Sequence, residues 1–408
     1  MPAKGKKGKK GKKKGKKKKM IGNETPGQVM KRLLDAYESQ CYQLNSPAHP
    51  CIKSAMKNSV EDDKLLVKYI VEPVHREKAD DPQVSVEPLL NAISKERFSL
   101  IKSLYVWELP LVHEHVALIA QLLEKQIFLV SHLELMDCLI SPYSVERLSH
   151  SFNACETLSV INLDYNEFGN EGCKGVCAGL EGNRTVISLS MCYCCLGVAS
   201  GAMLGHIAAT TAVREFYLDG NDLECAGAIN LIRACVEQAE GEALEREEEA
   251  ERKAQEEAEA EALKSENKYK LTASDSESEK KDSEKPDSAG SKKKKKKKKG
   301  KKKKGPPPPP PVGPWIYKLH LADNGIDAMG NDRDMALLGC MQLIKKFLMT
   351  SKYLEELDLE DNLIETAGGE EILQGLEARK EAKLPSVKLR TTHRMSTDVF
   401  NKLVKLGV

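Results

Sequence analysis

The chain has 408 residues, 30% of them charged and only 5% aromatic, and its formal net charge is +2. That length suffices for a sizeable buried core, but so few aromatics beside so many charges imply that part of the chain stays outside it. No apolar run suits a membrane span, and no apolar region follows the lysines at the start, so neither a signal peptide nor a lipid anchor is expected; the reading is a cytoplasmic protein, with the nucleus also open.

The near-neutral total conceals a strong asymmetry. Lysines at 4, 6, 7, 9, 10, 12 to 14 and 16 to 19 make twelve, and 292–299 with 301–304 make twelve more, so removing these 24 from a net charge of +2 leaves −22 on everything else. The body is acidic and carries two intensely basic arms. Residues 1–20 read as a disordered lysine-rich tail.

Over 21–96 the spacing predicts a helical cap. Thr25 suits an N-cap with Pro26 at the first helical position, "VMKRLLDAYESQCYQL" then has helical periodicity, and "DDKLLVKYIVEP" and "VEPLLNAIS" read as further short helices. A cap is what the open end of a repeat array needs.

From residue 97 a phrase recurs. Its second apolar slot falls at Leu104, Leu133, Ile161, Leu189 and Phe216, in steps of 29, 28, 28 and 27. Five residues further on, an amide or a thiol takes what might be an apolar slot: Cys138, Asn166, Cys194 and Asn221, and later Asn324 and Asn362. A fixed period with slots in register means stacked coils. Each coil must turn after its strand, and an amide there can satisfy backbone groups from one turn to the next; a thiol does so weakly. Helical stripes follow, as in Cys173, Val176, Cys177 and Leu180, or Ala228, Leu231, Ile232 and Cys235. Glycines six residues after the amide, Gly172, Gly227, Gly330 and Gly368, suggest a tight turn into the helix.

These motifs resemble the leucine-rich repeat, in particular its ribonuclease-inhibitor-like subfamily with alternating Asn and Cys positions, over roughly 97–236 and 314–400. The resemblance implies an α/β solenoid, a horseshoe with a parallel sheet on the concave side and helices on the convex side, whose usual work is binding. The leader of glycine-broken lysines and the Tyr37, Cys41, Leu44 arrangement also resemble those of ciliary and axonemal leucine-rich repeat proteins.

Between Phe216 and Leu319 lie 103 residues where one repeat needs about 28. The insertion, 237–313, is expected to prolong the fifth helix as a solvated charged segment. It then continues through a Ser-rich stretch in which Ser274 and Ser276 suit phosphorylation, the second lysine run, and Pro306 to Pro311, a left-handed extended segment suited to a polyproline-binding domain. Repeats 1–5 occupy 97–236; repeats 6–8 and a C-terminal cap occupy 314–408.

Alternation along each strand places a set of side chains outward on the concave face. It includes Tyr105, Trp107, Glu134, Asp164, Tyr165, Tyr193, Glu215, Tyr217, Asp219, Glu356 and Asp358, with His320, Lys388 and Arg390. Acids dominate and aromatics recur, which suits a basic protein segment and disfavours nucleic acid. The lysine arms suit an acidic polymer such as tubulin tails, and lack the interleaved aromatics or arginines of specific RNA readers. No catalytic, cofactor or metal residues are assigned: phosphate-loop, zinc-protease and nucleophile-elbow motifs are absent, "CYCC" at 192–195 lacks a second ligand pair, and His113 and His115 lack a carboxylate at ligand spacing.

The sequence thus reads as a non-enzymatic adaptor, best placed in a ciliary or microtubule setting. Two alternatives come from other resemblances. The Ran-type GTPase-activating leucine-rich repeat proteins are similar in repeat length and acidity, but the loops after the strands of repeats 1–5 hold no arginine. The leiomodin group of actin nucleators shares the acidic, proline-rich and repeat parts, but no actin-binding segment follows.

Overall fold

A computed structural model of the protein describes residues 24–75, 82–274, 311–327 and 333–407. The first lysine tract, Ser276, the second lysine run, Pro306 to Pro310 and Gly330 lie outside the described residues. The chain divides into two compact units, Met1–Phe168 and Gly169–Val408.

The first unit opens with α1 (Pro26–Gln43), started by a reciprocal capping box: Gln28 N donates to Thr25 Oγ1 and Thr25 N donates to Gln28 Oε1. α2 (Pro50–Glu61) packs on it so closely that a Cβ on Gly27 would meet Val60 O at 2.8 Å. Then come β1 (Lys68–Val71), α3 (Glu87–Lys95), β2 (Ser103–Trp107), α4 (His113–Glu124), β3 (His132–Met136), α5 (Pro142–Ser149) and β4 (Val160–Asn162). The strands pair in parallel in chain order.

β1 corrects the expectation of an all-helical cap. The "DDKLLVKYIVEP" stretch forms a strand because Tyr69 and Val71, each about 1% exposed, sit in register with Leu104 and Val106 of β2. Its apolar cluster Leu65, Leu66, Val67, Ile70 mimics a helical stripe, but pairing with β2 decides the outcome, and Tyr69 fits there by donating its hydroxyl to Leu66 O and meeting Phe98 edge-on.

The second unit holds α6 (Gly169–Leu180), β5 (Ser188–Ser190), α7 (Val198–Thr210), β6 (Glu215–Tyr217), α8 (Glu224–Ser274), β7 (Lys318–His320), α9 (Arg333–Thr350), β8 (Glu356–Leu359), α10 (Glu365–Glu381), β9 (Lys388–Thr391) and α11 (Thr397–Leu406). Strands β5 to β9 are again parallel and sequentially paired. β6 pairs with β7 as Phe216↔Leu319, so the long insertion leaves the stacking of repeats unbroken.

α8 runs 51 residues without interruption. Its extension is solvated from Glu247 to Glu261 but not at its start, where Trp315 Nε1 donates to Glu242 Oε1 (2.8 Å), Lys352 pairs with Glu242 (3.1 Å), Lys346 with Glu240 (3.0 Å), and Arg246 Nη2 donates to Thr350 O (2.7 Å). The sequence shows a charged helix with no apolar stripe, and these polar latches are invisible to a hydrophobic pattern.

Of the glycines expected to turn the chain, the described Gly172, Gly227 and Gly368 lie inside helices instead. Gly227 is in the first turn of α8, and a Cβ placed on the facing Gly201 of α7 would fall 2.2 Å from Gly227 O; a Cβ on Gly368 of α10 would meet Met341 Cγ at 2.9 Å. Their role is to let neighbouring helices approach.

Candidate functional site: the exposed strand face

In β2, β3, β6 and β7 the alternate residues are buried against the helices: Leu104 and Val106, Leu133 and Leu135, Phe216 and Leu319 are at most 1% exposed. Their neighbours face outward.

On the first unit this face carries Tyr105 and Trp107, stacked with ring centroids 5.8 Å apart and planes at 19°. Lys68 Nζ sits 4.2 Å from the Tyr105 ring centroid, and Trp107 Nε1 donates to Glu134 Oε2 across the strand pair (3.2 Å). The aromatic pair is therefore held in one orientation by a cation at one end and a carboxylate at the other.

On the second unit the face is an ion-pair lattice. Lys318 reaches Glu215 (3.0 Å), Lys388 pairs with Glu356, and Arg390 Nη1 with Asp358 Oδ2 (3.1 Å). His320 lies between Asp219 (3.7 Å), Glu356 (3.6 Å) and Asp358 (3.9 Å), its ring 4.6 Å from that of Tyr217. The hydrogen bond to Lys388 holds the Glu356 carboxyl below its usual range, the one to Glu215 raises Lys318, and burial raises Tyr217.

This lattice corrects the acidic groove expected from counting residues. Each acid of the second unit's strands has a cation on the adjacent strand, and the cations are the outer members: the side chains of Lys388 and Arg390 are both 49% exposed, against 17% for Glu356 and 3% for Asp358. Cross-strand neighbours 32 residues apart are not adjacent in sequence, and Lys318, beside Glu215, is a further cation on this face.

A second correction concerns Asp164, Tyr165, Tyr193 and Asp219. β4 ends at Asn162, β5 at Ser190 and β6 at Tyr217, so these four lie in the turns beyond the strands, where strict alternation no longer holds. Tyr165 (φ +59°) and Tyr193 (φ +54°) occupy left-handed backbone and are about half exposed; Asp164 is buried; Asp219 Oδ1 accepts from Ala322 N (2.8 Å).

The amides carry the turns. Asn166 Oδ1 accepts from Cys138 N and Ile140 N in the preceding repeat, while its Nδ2 donates to Leu135 O, Leu163 O and Asp164 O. Asn221 does the same with Cys194 N, Leu196 N, Met191 O and Leu218 O, and Asn362 with Asn324 N, Ile326 N, Leu321 O and Leu359 O. Cys138 donates through Sγ to Val106 O and Met136 O (3.3 Å each). Asn324 behaves as the cysteines do: its Nδ2 donates to Leu218 O and Ala322 O, and its buried Oδ1 has no partner among the described residues.

Among the described residues no three or more His, Cys, Asp or Glu are placed to hold a metal ion. In "CYCC", Cys194 is buried, Cys192 half-buried and Cys195 exposed. His113 stacks on Tyr143 (4.6 Å) with Nδ1 3.3 Å from Ser144 Oγ, and His115 approaches Glu87 at 4.0 Å. No described helix is long and apolar enough to cross a membrane.

The sequence model of the leucine-rich repeat family matches residues 154–177 and 350–373, the stretches that contain Asn166 and Asn362 with the strands β4 and β8. With the parallel strand–helix repeats, these matches support a leucine-rich repeat protein, a class whose domains commonly mediate protein–protein interaction. A search of the curated proteins finds no match.

Proposed function

We propose that the chain is a non-enzymatic adaptor that binds a protein partner on the exposed strand face, with Tyr105, Trp107 and Tyr217 as anchors. The stacked Tyr105–Trp107 pair carries this reading. Two large rings sit partly exposed with their orientation already fixed by Lys68 and Glu134, so they bury area on binding at little cost in side-chain entropy. On the second unit, the ion-pair lattice around Tyr217 and His320 gives Tyr217 a polar rim of the kind that interface anchors generally have.

The lysine runs over 4–19 and 292–304 tether the adaptor to an acidic polymer, for which tubulin tails in a microtubule or ciliary setting are the leading choice. The hexaproline, Pro306 to Pro311, is offered to a polyproline-binding domain. The test of the first statement is affinity capture with quantitative mass spectrometry on the intact chain and on a Tyr105→Ala, Trp107→Ala, Tyr217→Ala variant with unchanged circular dichroism. Loss of one stoichiometric partner is expected; identical recovery would end the reading. For the tether, co-sedimentation with microtubules should fall steeply with salt and vanish when the acidic tails are cleaved.

A further inference from the structure

The insertion returns to the fold beside the helix along which it leaves. Arg214 Nη2 donates to Pro311 O (2.8 Å), and Trp315 Nε1 donates to Glu242 Oε1 (2.8 Å), so the returning chain is held at the start of the α8 extension. From Glu242 the helix runs on to Ser274, 32 residues or about 48 Å at 1.5 Å per residue. Residues 275–310 connect that tip to Pro311, and 36 residues at up to ~3.5 Å each have more than twice the length required. Within them Lys304 and Lys292 stand seven and nineteen residues before Pro311, while Glu247 and Glu261 stand five and nineteen residues beyond Glu242. The lysine run is thus spaced from its anchor as the glutamates are from theirs, and it reaches them from ends already fixed.

Charge on this stretch of α8 is unbalanced. Residues 247–261 hold eight glutamates against Arg252 and Lys253, a net −6, and every residue of the stretch is exposed. Among the described residues the one ion pair within it is Glu249 with Lys253 (2.7 Å). The strand face differs, since Glu215, Glu356 and Asp358 each have a cation beside them there. The first lysine tract, 4–19, is joined to α1 in the other unit, and nothing fixes it beside α8.

We propose that α8 over 247–261 is the docking surface for the chain's own second lysine run, 292–304. Twelve ammonium groups lie against the net −6 of the helix, and the covalent link holds the two at a roughly millimolar effective concentration. The charges face water, where the screening length is about 10 Å at 0.1 M salt, so the contact loosens as ionic strength rises. Its regulatory consequence rests on the tether proposed above: an acidic polymer engages 292–304 only by displacing the helix.

The test is zero-length carbodiimide coupling of lysines to carboxylates, run on a mixture of unlabelled and isotopically labelled intact chains so that links within a chain and between chains differ in mass. Links within one chain between 292–304 and the glutamates of 247–261 are expected, fading as salt is raised. Links confined to pairs of different chains, links to that stretch from lysines 4–19 in place of 292–304, or no links to it would each overturn the contact. A Glu256→Gln, Glu257→Gln, Glu259→Gln, Glu261→Gln variant, whose new side chains are also helix-favouring, should bind labelled poly-glutamate about tenfold more tightly at low salt. Equal binding by the variant and the unaltered chain would overturn the competition. If neither binds poly-glutamate while the links are present, the tether fails and the docking stands.

Discussion

The ring of Tyr193 lies directly over Gly220: a Cβ built on the glycine would fall 2.2 Å from the ring's Cε1 and 2.3 Å from Cδ1. Both residues occupy left-handed backbone, as do Glu108, Asp137, Tyr165, Asp323 and Asp361 at the same place in their repeats, one residue before the ladder amide or its substitute. Asp and Gly suit that conformation; tyrosine does not, and it is kept there twice.

Gly220→Ala should therefore cost two effects at once, about 1 kcal/mol for the left-handed backbone and a further 1–3 kcal/mol for overpacking against the ring. In a Tyr193→Ala background the second effect disappears. Urea denaturation of the four proteins of this cycle measures both. If Gly220→Ala costs the same with and without Tyr193, the ring is not what excludes a side chain.

The ladder predicts unequal asparagines. Asn221→Cys strips the acceptor from Cys194 N and Leu196 N, two buried donors, and should cost about 2–4 kcal/mol. Asn324→Cys removes an oxygen that accepts nothing among the described residues and leaves a thiol able to donate as Cys138 does, so about 1 kcal/mol or less is expected. Chemical denaturation should rank them in that order; equal losses would mean the two positions are equivalent.

The difference between those asparagines also marks how far the sequence could be read. The period, the buried stripes and the amide slots follow from pattern alone, because Leu104, Leu133, Ile161, Leu189 and Phe216 recur in register and bury accordingly. Which amide accepts and which only donates depends on the backbone of the neighbouring repeat, and no one-dimensional pattern holds that. The same reason hid β1: Tyr69 lies 35 residues before Leu104, off the period, and its strand exists through pairing with β2. The charge of the face is not legible in one dimension because Asp358 and Arg390 meet across 32 residues of chain, nor is its extent, because the strands stop three residues before Tyr165 and Tyr193.

Alkaline pH should weaken the fold through two buried thiols. Burial pushes Cys138 and Cys235 up to about 12, from an ordinary value of 9.0. Between pH 9 and 12 the unfolded chain loses these protons while the folded one keeps them, so the folded state binds more protons and stability falls as pH rises through that window. Each thiol contributes at most about 1.4 kcal/mol per pH unit. Urea midpoints at pH 8 and pH 10 should differ less in Cys235→Ala than in the unaltered chain, and an unchanged difference would assign the effect to other groups.

The C-terminal end of α9 gathers two guanidinium groups. Arg379, 2% exposed, donates to Leu348 O (2.8 Å), Ser351 O (2.6 Å), Leu354 O (3.1 Å) and Pro385 O (2.5 Å), all backbone carbonyls, and Arg246 Nη2 donates to Thr350 O. Burial, with the charge of Arg246 second, lowers Arg379 to about 10. Carbonyls at a helix C-terminus carry the negative end of its dipole, which is why a cation is tolerated there with no carboxylate among its bonded partners. Arg379→Lys cannot span four acceptors with a single ammonium, so it should recover little of the roughly 3 kcal/mol expected for Arg379→Met, the loss for buried carbonyls left unpaired. Arg246→Ala should cost only about 1 kcal/mol, yet it removes a latch between the long α8 and α9, and hydrogen exchange should rise over residues 240–250. Wild-type stability in Arg379→Lys would show that charge alone, and not the planar fork, closes the end of α9.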